Sequence, residues 1–142
     1  MFLDDKNLKL DMRSLSQGIN HLRIPLELTG INWDLEGVEP AEDTGLLDLY
    51  AELDKSRLLV TGDLEAEFLT PCARCLKPTR FAVSEEIWRE YSMFEEDCLE
   101  GDVHLIPDSG MLDILDAVRE AVMLSTPGKP LCSPECPGIS YI

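Results

Sequence analysis

Four of the five cysteines in this chain lie in two closely spaced pairs, and their type and spacing suit metal chemistry. Cys72 and Cys75 form a C-x2-C pair, and Cys132 and Cys136 form a C-x3-C pair. Zinc in structural sites takes four ligands in a tetrahedron, and two short-spaced pairs are the usual way in which a chain supplies them. The pattern therefore predicts a structural zinc site.

Other interpretations of the same cysteines remain open. They can be ordinary thiols whose pairing is a coincidence or the relic of a lost site, or they can form a disulfide or redox pair. A thioredoxin-like motif opens a helix after a strand, whereas Cys75 is followed by Leu76-Lys77-Pro78-Thr79, which is typical of a turn. Cys98 lies among acidic residues and is interpreted as a bystander.

The cysteine usage depends on the compartment, which we expect to be the reducing cytoplasm. Phe2 and Leu3 are followed at once by Asp4, Asp5 and Lys6, so no secretory signal is predicted. No apolar run reaches the length of a membrane span. Thiols or metal ligands are therefore favoured over structural disulfides.

The chain is strongly acidic, with one basic interruption beside the first cysteine pair. Lys and Arg number 12 against 28 Asp and Glu, which gives a formal charge of −16. This charge repels nucleic acid at long range and favours a basic protein partner. Between Thr70 and Ser84, however, Arg74, Lys77 and Arg80 occur with no acid. This basic turn is a candidate partner-binding contact, although three cations can also simply balance the acidic faces of neighbouring strands.

The hydrophobic pattern predicts an α+β fold. Four segments alternate with the period of a half-buried strand, around Leu22–Leu28, Leu47–Leu53, Leu58–Phe68 and Thr79–Ile87. They predict an antiparallel meander over about 22–91, and Pro25, which has no N–H group, places the first strand at an edge. The first cysteine pair falls in the turn between the third and fourth strands.

The remainder of the chain predicts a loop, a helix and a tail within one domain of residues 1–142. We expect an acidic loop over about 92–104, a helix over about 111–124 and an irregular tail, rich in cysteine and proline, over 129–142. The predicted fold is a small antiparallel sheet or half-barrel with one main C-terminal helix. A zinc ion would fasten the tail to the hairpin turn. The N-terminal twenty residues give no clear pattern.

No catalytic constellation is visible. His21 and His104 are the only histidines, and ordinary surface roles suit both. No nucleophile signature, glycine-rich phosphate loop or His-Glu metal pattern occurs. We therefore predict a protein that binds a partner and is not an enzyme.

Two segments together resemble a known family. Pro71-Cys72-Ala73-Arg74-Cys75-Leu76 precedes a strand, and Pro127-Gly128-Lys129-Pro130-Leu131-Cys132 leads to Cys136 and Gly138. This arrangement resembles the YceD family of large ribosomal RNA subunit accumulation proteins, over about Leu22 to Gly138. Many members carry a further cysteine pair after this tail, where Ser140, Tyr141 and Ile142 stand here.

The resemblance implies a bacterial, cytoplasmic accessory factor that supports accumulation or processing of large-subunit ribosomal RNA. Its partner would be a ribosomal protein or a large-subunit precursor particle, including its rRNA, with no membrane and no small-molecule substrate. Two alternatives stand beside this prediction. One is a zinc- or cysteine-dependent hydrolase or nuclease that acts on RNA, and the other is a regulatory adaptor for a non-ribosomal enzyme.

Overall fold

The computed structural model describes residues 2–99 and 101–138, and in this part the chain folds into strands with one α-helix. Glu100 of the predicted acidic loop and residues 139–142 of the predicted tail lie outside the described residues. Two short 3-10 helices are Met12–Ser14 and Glu95–Cys98. The other elements are β1 (Leu3–Asp4), β2 (Lys9–Asp11), β3 (Gly18–Glu27), β4 (Glu39–Pro40), β5 (Thr44–Asp54), β6 (Arg57–Glu65), β7 (Glu67–Pro71), β8 (Pro78–Ala82), β9 (Ile87–Ser92), β10 (Val103–Leu105), β11 (Met111–Asp113) and α1 (Leu115–Ser125).

The largest sheet has five strands in the order β10-β9-β6-β5-β3. β3, β5, β6 and β9 pair antiparallel, and β10 joins β9 in parallel. β3 lies at the edge, which confirms the position predicted from Pro25. A Cβ on Gly62 of β6 would lie 2.2 Å from the carbonyl oxygen of Asp48 on β5, so only glycine fits there. The α+β class is as predicted, with mixed as well as antiparallel pairing.

The strands are divided among three sheets, where the sequence predicted one small sheet or half-barrel. The predicted third strand, Leu58–Phe68, is two strands, because β6 pairs with β5 whereas β7 pairs with β8 in the sheet β4-β7-β8. Leu64 and Phe68 both point into the core, at 3% and 0% exposure. The alternation therefore continues through the change of sheet, and the pattern alone does not reveal the division.

The predicted fourth strand is also divided, into β8 and β9. The corner between them is held by α1, because the Ser125 hydroxyl accepts hydrogen bonds from the backbone N–H groups of Ser84 (3.0 Å) and Glu85 (3.1 Å). The same hydroxyl donates to the carbonyl of Ala121 at 2.7 Å. The end of the helix is thus fastened to the turn that redirects the chain into the five-stranded sheet.

The helix begins at Leu115, later than the predicted start at residue 111. Met111–Asp113 forms β11, which pairs with β2 in the third sheet, β1-β2-β11. The prediction was wrong here because tertiary pairing with a distant N-terminal strand overrode a local apolar pattern that also suits a helix. The helix ends at Ser125, and Thr126 is extended (ψ 125°) as the residue before a proline should be.

One continuous hydrophobic core joins the three sheets and the helix. α1 buries the face formed by Ala117, Val118, Ala121 and Val122. The N-terminal segment, which gave no pattern in the sequence, contributes Leu3, Leu8 and Leu10, each at most 2% exposed. Among the described residues, no helix is long and apolar enough to cross a membrane.

Candidate metal centre

The turn between β7 and β8 presents the first cysteine pair. Cys72 follows β7 directly, and its backbone N–H donates to the carbonyl of Lys77 at 2.8 Å. The N–H of Leu76 donates to the carbonyl of Cys72 at 3.0 Å, with Leu76 in a left-handed conformation (φ 65°). The chain therefore reverses tightly over a few residues, and both sulfurs reach the same point.

The second pair is brought to this turn by the tail that follows α1. The N–H of Ala73 donates to the carbonyl of Pro130 at 2.6 Å, and the Arg74 guanidinium donates to the carbonyl of Cys136 at 2.9 Å. The N–H of Cys132 donates to Sγ of Cys72 at 3.4 Å. The hairpin turn and the tail are thus joined by hydrogen bonds on both sides of the sulfurs.

All four predicted cysteines meet. The Sγ atoms of Cys72, Cys75, Cys132 and Cys136, which we call the cysteine cluster, lie within 4.8 Å of one another. Cys72 and Cys136 are 3.7 Å apart, and Cys75 and Cys132 are 3.6 Å apart. Zn–S bonds of about 2.3 Å at tetrahedral angles separate sulfurs by about 3.8 Å. The cluster therefore has the dimensions of a tetrahedral thiolate site and could bind a metal, whereas a disulfide requires about 2.05 Å between sulfurs.

The cluster favours at least one thiolate. Hydrogen bonds from the backbone N–H groups of Cys75 and Cys132 lower the pKa of the Cys72 thiol to about 5. The pKa of Cys132 is raised to about 12, chiefly by its side-chain hydrogen bond with Cys136 and then by that with Cys75. Each thiolate that forms makes deprotonation of the next thiol less favourable, because the negative charges repel one another. A bound cation would offset this repulsion.

The cluster lies at the surface with one side covered. Cys72 and Cys136 are buried, Cys75 is half-buried and Cys132 is exposed. A metal here would be held against the domain while the tail formed its outer wall.

The other candidates of the sequence lie elsewhere. Cys98 is in the 3-10 helix Glu95–Cys98, where its Sγ lies 3.6 Å from the carbonyl oxygen of Phe94. His21 stacks on Tyr50 at 4.2 Å and lies 2.5 Å from a carboxylate oxygen of Asp48. Within the described chain, the cysteine cluster is the single group of three or more side chains with metal-ligand character, and it includes neither histidine nor Cys98.

Of the three cations of the basic turn, Arg74 and Lys77 lie in the turn itself and Arg80 lies on β8, and two of the three have internal partners. Arg74 is bonded to Cys136, as described above. Arg80 pairs with Glu42 at 2.9 Å and also with Glu67. These carboxylates raise the pKa of the Arg80 guanidinium, with the hydrogen bond to Glu42 as the largest cause. Lys77 is exposed and makes no ion pair with any described residue.

Sequence reasoning missed a second set of side chains, on the solvent side of the five-stranded sheet. Tyr50 and Trp88 occupy positions that the alternation assigns to solvent, and they are 41% and 47% exposed. The signal was present in the sequence, since large aromatic side chains at polar positions of an amphipathic strand are unusual.

Comparisons with known proteins give a family match and mycobacterial relatives. Residues 60–141 match the family described as large ribosomal RNA subunit accumulation protein YceD. Uncharacterized proteins of Mycobacterium tuberculosis and Mycobacterium bovis are each 35% identical over 97 residues, which cover 66% of this chain and 46% of the relative. An uncharacterized protein of Mycobacterium leprae is 29% identical over 121 residues, or 82% of this chain and 52% of the relative.

This chain spans about half the length of the curated relatives that it matches. No solved structure matches it. The family match begins within β6 and runs through the hairpin turn, α1 and both cysteine pairs, which is more than half of the chain. On that match, this chain belongs to the YceD family.

Proposed function

We propose that this chain is a non-enzymatic accessory factor that supports large-subunit rRNA accumulation and ribosome assembly in the bacterial cytoplasm. The observation that carries the proposal is the family match over residues 60–141, whose description names this process. The chain would act by binding a ribosomal protein or precursor rRNA. The relatives are uncharacterized and this chain matches about half of their length, so the partner is part of the proposal.

The cysteine cluster would hold a structural zinc ion. Four thiolates complete the tetrahedron, so such a site leaves no open position for water or substrate. This supports a stabilising role over the hydrolase alternative, which requires an open position. A zinc ion would also close a loop of 60 positions between Cys72 and Cys132, and closing long loops is where a metal clip gains the most.

The basic turn is the proposed contact for rRNA phosphates near the cluster. Arg74, Lys77 and Arg80 lie on the hairpin that the zinc would hold in place. Since Arg74 and Arg80 already have internal partners, Lys77 would make the largest contribution. The turn is therefore proposed as an auxiliary contact.

The test is co-sedimentation of the protein with large-subunit precursors from its native host, combined with rRNA measurement after gene deletion. We expect the protein to run with precursor particles at low salt and to dissociate as salt rises, and deletion to lower mature large-subunit rRNA. Restoration of the phenotype by Cys98→Ser but not by Cys75→Ser would link the cluster to the function. A protein that stays at the top of the gradient at every salt concentration, with normal rRNA in the deletion strain, would contradict the proposal.

A further inference from the structure

The outer face of the five-stranded sheet is open over most of its positions, and the 3-10 helix Glu95–Cys98 covers one end of it, where Ser92 is buried and donates to Asp97. We define it as the alternate positions of β3, β5, β6 and β9 that include the row His21, Tyr50, Thr61 and Trp88. These four residues are direct neighbours across the strands. The opposite positions form the core, where Leu49, Ala51 and Val60 are 0% exposed. The outer face is therefore rigidly supported from beneath.

The outer face displays large apolar and aromatic side chains. Ile19 is 71% exposed, Trp88 47% and Tyr50 41%. The His21 ring stacks on Tyr50 with an interplanar angle of 10°, which holds the tyrosine ring in place. Such surface rings offer flat faces to a partner, and cations bind these faces.

The same face carries an excess of negative charge. Its positions on the four strands hold seven carboxylates and two arginines. Asp48 and Asp63 are direct cross-strand neighbours, and like charges in that position destabilise a sheet. Glu52 and Asp63 make no ion pair with any described residue. The fold thus maintains unpaired carboxylates around exposed rings at a cost in stability.

We propose that the outer face binds an arginine-rich segment of a basic protein. A guanidinium group both stacks on an aromatic ring and forms paired hydrogen bonds with a carboxylate, and a lysine ammonium does only part of this. The charge excess repels phosphates, so the face suits a basic protein and not RNA. This inference rests on the proposed function for its biological setting, and it gives the ribosomal-protein branch of that function a specific surface.

The first test is binding of a fluorescently labelled peptide of alternating arginine and serine to the full chain, followed by anisotropy. We expect Tyr50→Ala with Trp88→Ala to weaken binding by about 5- to 30-fold, the loss of two cation–π contacts. Glu52→Gln with Asp63→Asn should weaken it by about 2- to 10-fold at low salt. A lysine–serine peptide of equal charge should bind several times more weakly than the arginine peptide.

Matched controls separate this surface from general acidity. Glu85→Gln with Glu86→Gln removes two exposed carboxylates outside the face, and Leu124→Ala removes an exposed apolar side chain from α1. Both should bind within about twofold of the unchanged protein. Equal losses in the controls and the outer-face variants would overturn the proposal, as would affinity for single-stranded RNA that Trp88→Ala abolishes.

The outer-face proposal and the proposed function fail in different ways. Suppose that the unchanged protein co-sediments with precursors, but the outer-face variants bind the arginine peptide with the same affinity as the unchanged protein. The outer-face proposal is then wrong and the proposed function stands. If the unchanged protein never co-sediments and its deletion leaves rRNA normal, the function is wrong, and the peptide results judge the surface alone.

Discussion

The cysteine cluster and the outer face lie in one domain but depend on different forces. The cluster joins a hairpin turn to a tail through a few hydrogen bonds and four sulfurs, and only Cys72 and Cys136 are buried. The outer face rests on a layer of fully buried side chains from β5 and β6. Order near the cluster should therefore depend on a bound metal, whereas order of the sheet should not.

The two regions also differ in how their charges are satisfied. In the basic turn, Arg74 and Arg80 have partners within the chain. On the outer face, Asp48 lies beside His21 and Glu90 pairs with Arg57, but Asp63 and Glu52 have no ionic partner among the described residues. Charges that are paired internally contribute to the fold, and charges that are left unpaired are available to a partner. This contrast is why the acidic sheet, more than the basic turn, is the stronger candidate interface.

The largest predicted effect removes a support that both regions share. Phe68 on β7 is fully buried. The centroid of its ring lies 5.1 Å from that of Trp33 and 6.1 Å from that of Phe81. Phe68→Ala should lower the free energy of unfolding by about 3–5 kcal/mol, measured by urea denaturation. Leu124→Ala is the exposed control. A loss below about 1 kcal/mol would mean that β7 contributes little to the common core.

The next effect should separate the two regions. Cys72→Ser removes one of the four sulfurs of the cysteine cluster. We expect metal affinity to fall more than about 100-fold, since replacing a residue that only supports a metal ligand already costs about 10- to 100-fold. A glutamate-specific protease should then cleave faster after the exposed Glu135 in the tail, mapped by mass spectrometry, while far-ultraviolet circular dichroism of the sheets is retained.

Cys98→Ser is the matched control for that experiment, because Cys98 lies outside the cluster. It should leave about one zinc per chain, measured by elemental analysis, with the tail protected from the glutamate-specific protease. Unfolding of the whole domain in Cys72→Ser, or an unchanged metal content, would contradict the division into a metal-dependent and a metal-independent region.

A smaller effect should have opposite signs in the two regions. Asp63→Asn relieves the like-charge pair with Asp48 and should stabilise the protein by about 0.2–1 kcal/mol. The same change should weaken binding of the arginine–serine peptide. Arg80→Gln should destabilise the protein, because Glu42 and Glu67 lose their shared cation. Thermal unfolding at low and high salt measures both. Destabilisation by Asp63→Asn would show that the carboxylates of the outer face are structural.

The smallest effect concerns the exposed rings. Trp88→Ala should change the free energy of unfolding by no more than about 0.5 kcal/mol, as expected for a surface position away from caps and cores. Chemical denaturation followed by circular dichroism checks this value. A large loss of unfolding free energy would indicate that the Trp88 ring packs against the domain and is not available to a partner.

The cysteine cluster was predictable because spacing carries its chemistry. Two short pairs already place each pair of sulfurs on one turn, and the tetrahedral preference of a metal supplies the remaining restraint. The edge position of β3 was predictable for a similar reason, since Pro25 lacks a donor. In both cases one feature of the covalent chain, the spacing of the cysteines or the missing N–H of Pro25, limits the structures that are possible.

The parts that were not predicted depend on distant partners. β11 has a local pattern that suits a helix, and it becomes a strand only because β2 offers an edge. The break after Glu65 is invisible because Leu64 and Phe68 continue one inward face through two sheets. The outer face was missed because its row, from His21 to Trp88, is assembled from four strands and exists only after the registers are set.

The separation of the two cysteine pairs along the chain also sets an order of events during translation. Cys72 leaves the ribosome 60 positions before Cys132, and Cys75 leaves it 57 positions before, which is about 3–12 s at bacterial synthesis rates. During that interval the nascent chain presents a lone dithiol, which can be oxidised or can hold a metal only loosely. Closure of the cluster must therefore follow synthesis of every described strand and of α1, so a metal bound by all four cysteines would report that this part of the chain has been translated.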